Sequence, residues 1–195
     1  MDNKSYQDYF FKKAKASGFR SRSAFKLIEL NKKFKFLKNG INILDVGSAP
    51  GGWCQVVKKN IMNCKILGID LKKTEEIKGI KFIEGDFLND NVRITIKNYF
   101  NSNIDLILSD MASNTTGNKS LDSIRTNQLC LNLLDFSVEK LTKDGVVISK
   151  LFMGEDFNEI KNKAKKNFKK IDFFKPKSSR DESRETYIHC SGLST

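Results

Sequence analysis

Five short apolar runs, each closing on an acidic, glycine or small polar residue, punctuate the middle of the chain, with helix-like stretches among them. They are INILDVG (41–47), KILGIDL (65–71), GIKFIEGDF (79–87), IDLILSDMA (104–112) and GVVISKLF (145–152). Runs of this length and apolarity, bounded by turn residues, are the pattern of strands covered on both faces, as in a parallel sheet. GGWCQVVKKNI follows the first run with helical character. SIRTNQLCLNLLDFSVEKLTKDG precedes the fifth, with Gly145 as its expected C-cap, and DFNEIKNKAKKNF follows it. IDFFKPKS and ETYIHCSG read as closing strands. The alternation predicts an α/β domain with a largely parallel sheet.

In front of that core, SRSAFKLIELNKKF has a serine cap and apolar positions at helical spacing (Phe25, Ile28, Leu30, Phe34), so an amphipathic helix is expected there. The sequence shows no internal repeat and no linker. Its 195 residues are expected to form one domain, 1–195, with residues 1–40 as a basic helical arm packed on it. No apolar run approaches the roughly 20 residues that span a bilayer, so no membrane partner is expected. The start lacks an apolar signal region, so an intracellular protein is expected: in the cytoplasm if bacterial, in a mitochondrion or other organelle if eukaryotic. Four cysteines without a C-x-x-C pair and one histidine, His189, make neither a metal site nor a disulfide framework.

Net charge is +12, and the excess is confined to the ends of the chain. Residues 1–40 hold eleven Lys/Arg against three Asp/Glu, residues 41–149 balance thirteen against thirteen, and residues 150–195 hold eleven against seven. If the two ends share a face, they make a surface suited to a polyanion such as RNA. Lysine outnumbers arginine 29 to 6, so base composition also contributes to the excess.

In an open α/β sheet ligands bind beyond the carboxyl ends of the strands. Those ends supply Asp45 with the glycine turn, then Asp70, Asp86, Asp110 and Lys150, an acidic rim that repels phosphates and accepts a cation. The turn LDVGSAPGGWCQ (44–55) lacks the lysine of a phosphate-binding loop and lacks G-x-G-x-x-G. Its Gly51 and Gly52 are expected to admit a ligand against the backbone, and Pro50 to stiffen the turn. Asp70 follows Gly47 at the distance usual for a partner of a ribose diol. S-adenosylmethionine meets these terms: a sulfonium cation, a ribose diol, an adenine and no phosphate. Gly47, Ser48, Ala49, Pro50, Gly51, Gly52 and Trp53, with Asp45 beneath them, are the expected cofactor turn. Asp70, Leu71, Asp86, Phe87 and Asp110 complete the set.

Seven blocks in order resemble the FtsJ family of S-adenosylmethionine-dependent RNA ribose 2′-O-methyltransferases. They are YFFKKAKASGFRSRSAFKL, LDVGSAPGGWCQVV, GID, EGDF, LSDMASNTTG, VVISKLFMGEDF and KPKSSRDESRETYI, which together span most of the chain. The resemblance implies a Rossmann-like class I methyltransferase fold: a largely parallel seven-stranded sheet, last strand antiparallel, helices on both faces. It implies S-adenosylmethionine as cofactor, leaving as S-adenosylhomocysteine, and a catalytic tetrad of Lys26, Asp110, Lys150 and Glu185. The family assigns Lys150 to the 2′-hydroxyl. Literal proton abstraction requires a neutral amine at the moment of attack, whereas steering and hydrogen-bonding the 2′-oxygen does not; both roles stay open. Ser113 replaces a usual proline, which puts the shape of its loop in question, and Cys54 replaces a common serine.

The basic ends then take RNA phosphates, with Lys12, Lys13, Arg20, Arg22, Lys177, Arg180 and Arg184 as candidates and the arginines favoured for their bidentate fork. DMASNTTG with SRETY resembles the bacterial and mitochondrial branch acting on a uridine of large-subunit ribosomal RNA, so rRNA in a large subunit or its precursor is the expected partner of a monomeric enzyme. A tRNA or cap substrate is the runner-up. An inactive RNA-binding or ribosome-assembly factor is opposed by the filled tetrad, and a nicotinamide oxidoreductase by the missing glycine fingerprint.

Overall fold

The computed structural model describes residues 3–114, 116–154 and 156–194, with side chains from Tyr9 onward. Two helices lead, α1 (Asn3–Ala16) and α2 (Ser23–Phe34). Then come β1 (Asn42–Val46), α3 (Gly52–Asn60), β2 (Lys65–Asp70), β3 (Lys81–Glu84), α4 (Asp90–Phe100) and β4 (Ile104–Ser109). The chain closes through α5 (Lys119–Lys140), β5 (Leu141–Phe152), α6 (Phe157–Asn167), β6 (Phe168–Phe174) and β7 (Glu185–Leu193). All five apolar runs are strands of one seven-stranded sheet ordered β3-β2-β1-β4-β5-β7-β6. Strand β7 runs antiparallel to both neighbours and the other six share one direction. Strand order reverses between β1 and β4, which opens a crevice at their carboxyl ends.

Side-chain alternation divides the core in two. Leu44 and Val46 of β1 face α4, α5 and α6, packing with Leu67, Ile69, Ile107 and Leu134. Ile43 faces α2 and α3, packing with Leu27, Leu30, Val57, Ile66 and Leu106. The period of two along β1 puts its residues on opposite faces, so the central strands must be apolar throughout. Among the described residues no helix is long and apolar enough to cross a membrane.

Three local expectations are corrected, and one helix lies where none was expected. Helix α2 has no serine cap: Arg22 occupies the N-cap with helical dihedrals, and the Ser21 and Ser23 hydroxyls bond each other at 2.6 Å. Ile28 is 37% exposed, because the inward face of the helix is centred on Ala24, Leu27 and Leu30, at spacings of three, with Phe25 at its edge, which turns Ile28 outward. Gly145 is not a cap. Helix α5 ends at Lys140, and Gly145 lies in β5 just before pairing resumes at Val146, where any Cβ would fall 2.4 Å from Leu141 Cγ. Helix α4 was not anticipated, since Val92, Ile94 and Ile96 alternate like a strand. The Asn89 side chain fixes the helix by accepting the Asn91 N–H, and only Ile96 and Phe100, four apart, are fully buried in it.

Candidate active site

The carboxyl ends of β1, β2, β3 and β4 frame a cleft lined by Gly47, Ala49, Asp70, Leu71, Asp86, Phe87 and Asp110, seven of the expected cofactor residues. Asp70 is fixed on both oxygens: Oδ2 accepts the Ala49 N–H and Oδ1 the Lys72 N–H, each at 2.9 Å. Asp86 Oδ1 accepts the Leu88 N–H at 2.8 Å. These acceptors are built into the turns that carry them, so the acidic rim is rigid before any ligand arrives. Met111, Ala112, Asn114 and Leu129 complete the wall. Met111 follows a strand end and was findable there; Leu129 sits inside α5 with no sequence signal.

The other six expected cofactor residues lie beneath or behind that wall. Asp45 is buried below the turn, where Oδ2 accepts the Cys54 thiol at 3.1 Å and Oδ1 has no protein partner. Burial, with some repulsion from Asp110 and Asp70, pushes its pKa up to about 7 against the pull of the thiol. Ser48 Oγ is likewise buried without a protein partner. Trp53 is a core residue: its indole N–H donates to Ser23 O at 2.9 Å and its ring tilts against Tyr187.

Pro50, Gly51 and Gly52 face the α1–α2 connector rather than the cleft. A Cβ at Gly52 would lie 2.2 Å from Ser21 Oγ, and one at Gly51 would lie 3.1 Å from Arg20 Nη1 and from Ile77 Cδ1. The glycines that sequence reasoning reserved for a ligand thus admit the protein's own connector. Gly52→Ala is expected to lower stability by about 1–3 kcal/mol through overpacking, with recovery in the Gly52→Ala/Ser21→Gly double variant. Equal denaturation midpoints for Gly52→Ala and the parent would contradict this.

At the far side of the cleft the sheet brings four charged residues together. Antiparallel pairing sets Lys150 opposite Tyr187 and Phe152 opposite Glu185, so Lys150, Tyr187 and Glu185 share the face covered by α2. Lys26 reaches them from α2, its Nζ lying 2.7 Å from Glu185 Oε1, 2.8 Å from Oε2 and 4.0 Å from Asp110 Oδ1. Lys150 Nζ lies 3.1 Å from Asp110 Oδ1 and donates to Asp110 O at 2.9 Å. The Tyr187 hydroxyl donates to Asp110 Oδ1 at 2.6 Å. Burial alone would raise the Asp110 pKa; the summed pull of Lys150, Lys26 and the Tyr187 hydroxyl outweighs it and holds the carboxyl below its usual range. Burial first, then Asp110 and Glu185, push the Tyr187 phenol far up, so it stays a donor. Neither Tyr187 nor Ser179 was singled out from sequence, though both lie in the quoted block KPKSSRDESRETYI.

The segment between β6 and β7 is braced onto α2. Glu29 accepts the Lys177 and Ser178 N–H groups at 2.6 and 3.0 Å, and Arg22 Nη2 donates to Ser178 O at 2.8 Å. Ser179 Oγ then donates to Glu185 Oε1 at 2.7 Å. Ser179→Ala removes one hydrogen bond from that buried carboxylate, and a roughly tenfold slower single-turnover rate is expected from a lost hydrogen bond to a charged group. An unchanged rate would remove Ser179 from the positioning of Glu185.

Lys12, Lys13, Lys177, Arg180 and Arg184 are exposed, the last three on the segment that leads into Glu185. Arg20 and Arg22 direct their guanidinium groups inward, to main-chain carbonyls. Ser113, standing for a proline, anchors its loop by other means: its N–H donates to Thr126 Oγ1 and its hydroxyl to Asp122 O, each at 3.2 Å.

A sheet of this order with β7 reversed, an acidic cleft at the switch point and no phosphate loop define a methyltransferase-type α/β protein. The family description FtsJ-like methyltransferase matches residues 19–193, and the chain belongs to that family. A Pelagibacter ubique protein named ribosomal RNA large subunit methyltransferase E is 45% identical over 191 residues, 98% of this chain and 94% of that one. A Rickettsia akari protein of the same name is 44% identical over 187 residues, 93% of this chain and 82% of its own. A crystal structure of a Plasmodium falciparum protein described as a ribosomal RNA methyltransferase superposes with a TM-score of 0.80 at 37% identity, covering 90% of this chain and 98% of that one.

Proposed function

We propose that the protein transfers a methyl group from S-adenosylmethionine to a ribose 2′-hydroxyl of RNA, and that the RNA is that of the large ribosomal subunit, with a uridine as the target. The observation that carries this reading is the cluster of Lys26, Asp110, Lys150, Glu185 and Tyr187 beside the acidic cleft, the last three of them buried. The cleft fits the cofactor on its own chemistry: Asp70, Asp86 and Asp110 suit a cationic nucleoside, and the unpartnered Asp45 Oδ1 and Ser48 Oγ leave buried polar atoms near the turn. Bound there, the cofactor would supply an electrophilic methyl group.

The chain's own residues then orient the acceptor. Both amines are ion-paired to carboxylates, Lys150 to Asp110 at 3.1 Å and Lys26 to Glu185 at 2.7 Å. Paired ammoniums serve as fixed donors that steer the 2′-oxygen and stabilise its developing charge, which favours the positioning role for Lys150 over literal abstraction. Lys177, Arg180 and Arg184, with Lys12 and Lys13 of α1, would hold backbone phosphates around this point. The names of the relatives support the rRNA substrate. The test is methylation of fractionated RNA by the purified protein with labelled cofactor, followed by nucleotide mapping. Label at a 2′-oxygen of large-subunit rRNA is expected; label on a base, on tRNA only, or nowhere would overturn the reading.

A further inference from the structure

The connector between α1 and α2 is fastened to helix α3, which follows the cofactor turn. Gln55 Oε1 accepts the Arg20 N–H at 2.7 Å, Gln55 Nε2 donates to Gly18 O at 3.1 Å, and Lys59 Nζ donates to Ser17 O at 3.1 Å. The Arg20 side chain continues past the turn. Nη1 donates to Pro50 O at 3.2 Å and to Glu75 O at 2.7 Å, and Nη2 donates to Glu76 O at 2.9 Å. Its ion pair with Glu75, at 3.8 Å to a carboxylate side chain 91% exposed, adds little in water. Three of the five guanidinium N–H groups are therefore committed to carbonyls on two separate segments.

Both segments continue from residues that line the cleft. Pro50 follows Ala49, and Glu75 and Glu76 lie on the loop that begins with Leu71 and Lys72 and has no regular secondary structure up to the start of β3. Asp70 ties the near end of this loop through the Lys72 N–H, and Arg20 ties its middle to Pro50, next to the cleft-lining Ala49. We infer that Arg20 is a positioning residue for the cofactor, holding the 71–78 loop against the glycine turn, and not a phosphate contact for RNA. The inference rests on the proposed cofactor. A lysine keeps the charge but has a single nitrogen, which cannot reach three carbonyls set on two segments.

The test compares the parent with Arg20→Lys and Arg20→Gln. Calorimetric titration with S-adenosylmethionine is expected to give a dissociation constant about tenfold higher in both variants, as for lost hydrogen bonds to a charged donor. Hydrogen exchange at amides 72–78 is expected to speed up in the variants without cofactor while the amides of β1 and β4 keep parental rates, which separates a loosened loop from a poorly folded variant. The slope of log affinity for rRNA fragments against log salt should stay that of the parent. Parent-like cofactor affinity in Arg20→Lys overturns the inference alone, as does a slope reduced by about one unit with cofactor binding intact. Failure of the parent to bind S-adenosylmethionine overturns the proposed function and this inference with it.

Discussion

Lys150→Ala is expected to lower methyl transfer by about a thousandfold or more, the scale at which a positioned group next to the reacting oxygen contributes. The side chain is 8% exposed, and its amine makes contacts at 3.1 and 2.9 Å with the carboxylate and carbonyl of Asp110. Alanine removes that amine and leaves the Asp110 carboxylate to the Tyr187 hydroxyl and the more distant Lys26, which lowers stability by less than the roughly 3–5 kcal/mol of a fully unpaired buried charge. The two effects separate in Lys150→Arg, which retains the charge that Asp110 requires and displaces the donor. Lys150→Arg is expected to fold with a denaturation midpoint near the parent's, to bind cofactor within a few fold, and to remain nearly inactive. Single-turnover rates decide the matter: Lys150→Arg retaining more than about a tenth of parental activity would exclude positional control by the amine at this scale.

Lys26 explains how the α2 helix takes part. Arg22, Lys26 and Glu29 are spaced four and three apart, which lines them up on one helix face. That face binds Ser178 O, Glu185 and the N–H groups of Lys177 and Ser178 in turn. One helix therefore sets both the Lys26–Glu185 ion pair proposed to act in catalysis and the basic segment expected to hold RNA. A phosphate docked on Arg180 or Arg184 would sit a few residues from the Glu185 carboxylate, on a segment with little slack. Met153 N–H donating to Arg184 O at 2.9 Å closes the same segment against β5.

The strands were legible because a doubly covered sheet demands unbroken apolar runs, and nothing else in the chain has them. Asp70, Asp86, Asp110 and Lys150 were legible because strand ends are where such sheets bind. The inward direction of Arg20 was not: an arginine in a basic segment reads as a phosphate contact, and only the folded chain shows carbonyls from residues 50, 75 and 76 converging on it. Gly51 and Gly52 were read as space for a ligand for the same reason, since sequence gives the space but not its occupant. Gly145 was misassigned because α5 runs directly into β5 with no glycine needed to stop it. Trp53, the single tryptophan in a candidate ligand turn, went to the core because its N–H finds a carbonyl on α2 there.

Asp45 sets a pH dependence whose sign is opposite to that of an ordinary salt-bridged carboxylate. An unfolded aspartate ionises near pH 4, whereas in the fold burial moves the transition to about 7. Between those values the native state keeps a proton that the unfolded chain has lost, so raising the pH draws the equilibrium toward unfolding, and stability falls until about pH 7 and then levels off. A shift from 3.8 to about 7 corresponds to about 4 kcal/mol at most. Asp45→Asn removes this titration while retaining an acceptor for the Cys54 thiol. The amide also leaves a polar group where Oδ1 has no protein partner, a cost of about 1–3 kcal/mol that does not vary with pH. The variant is thus near or below the parent in stability at pH 5 and gains on it up to about pH 7, where the difference levels off, by about 2.5 kcal/mol relative to its standing at pH 5. Urea denaturation of both proteins at pH 5, 6, 7 and 8 measures that difference. A gap that stays constant across the series would mean that Asp45 is already ionised in the fold, and that the space beneath the glycine turn holds a charge rather than a neutral acid.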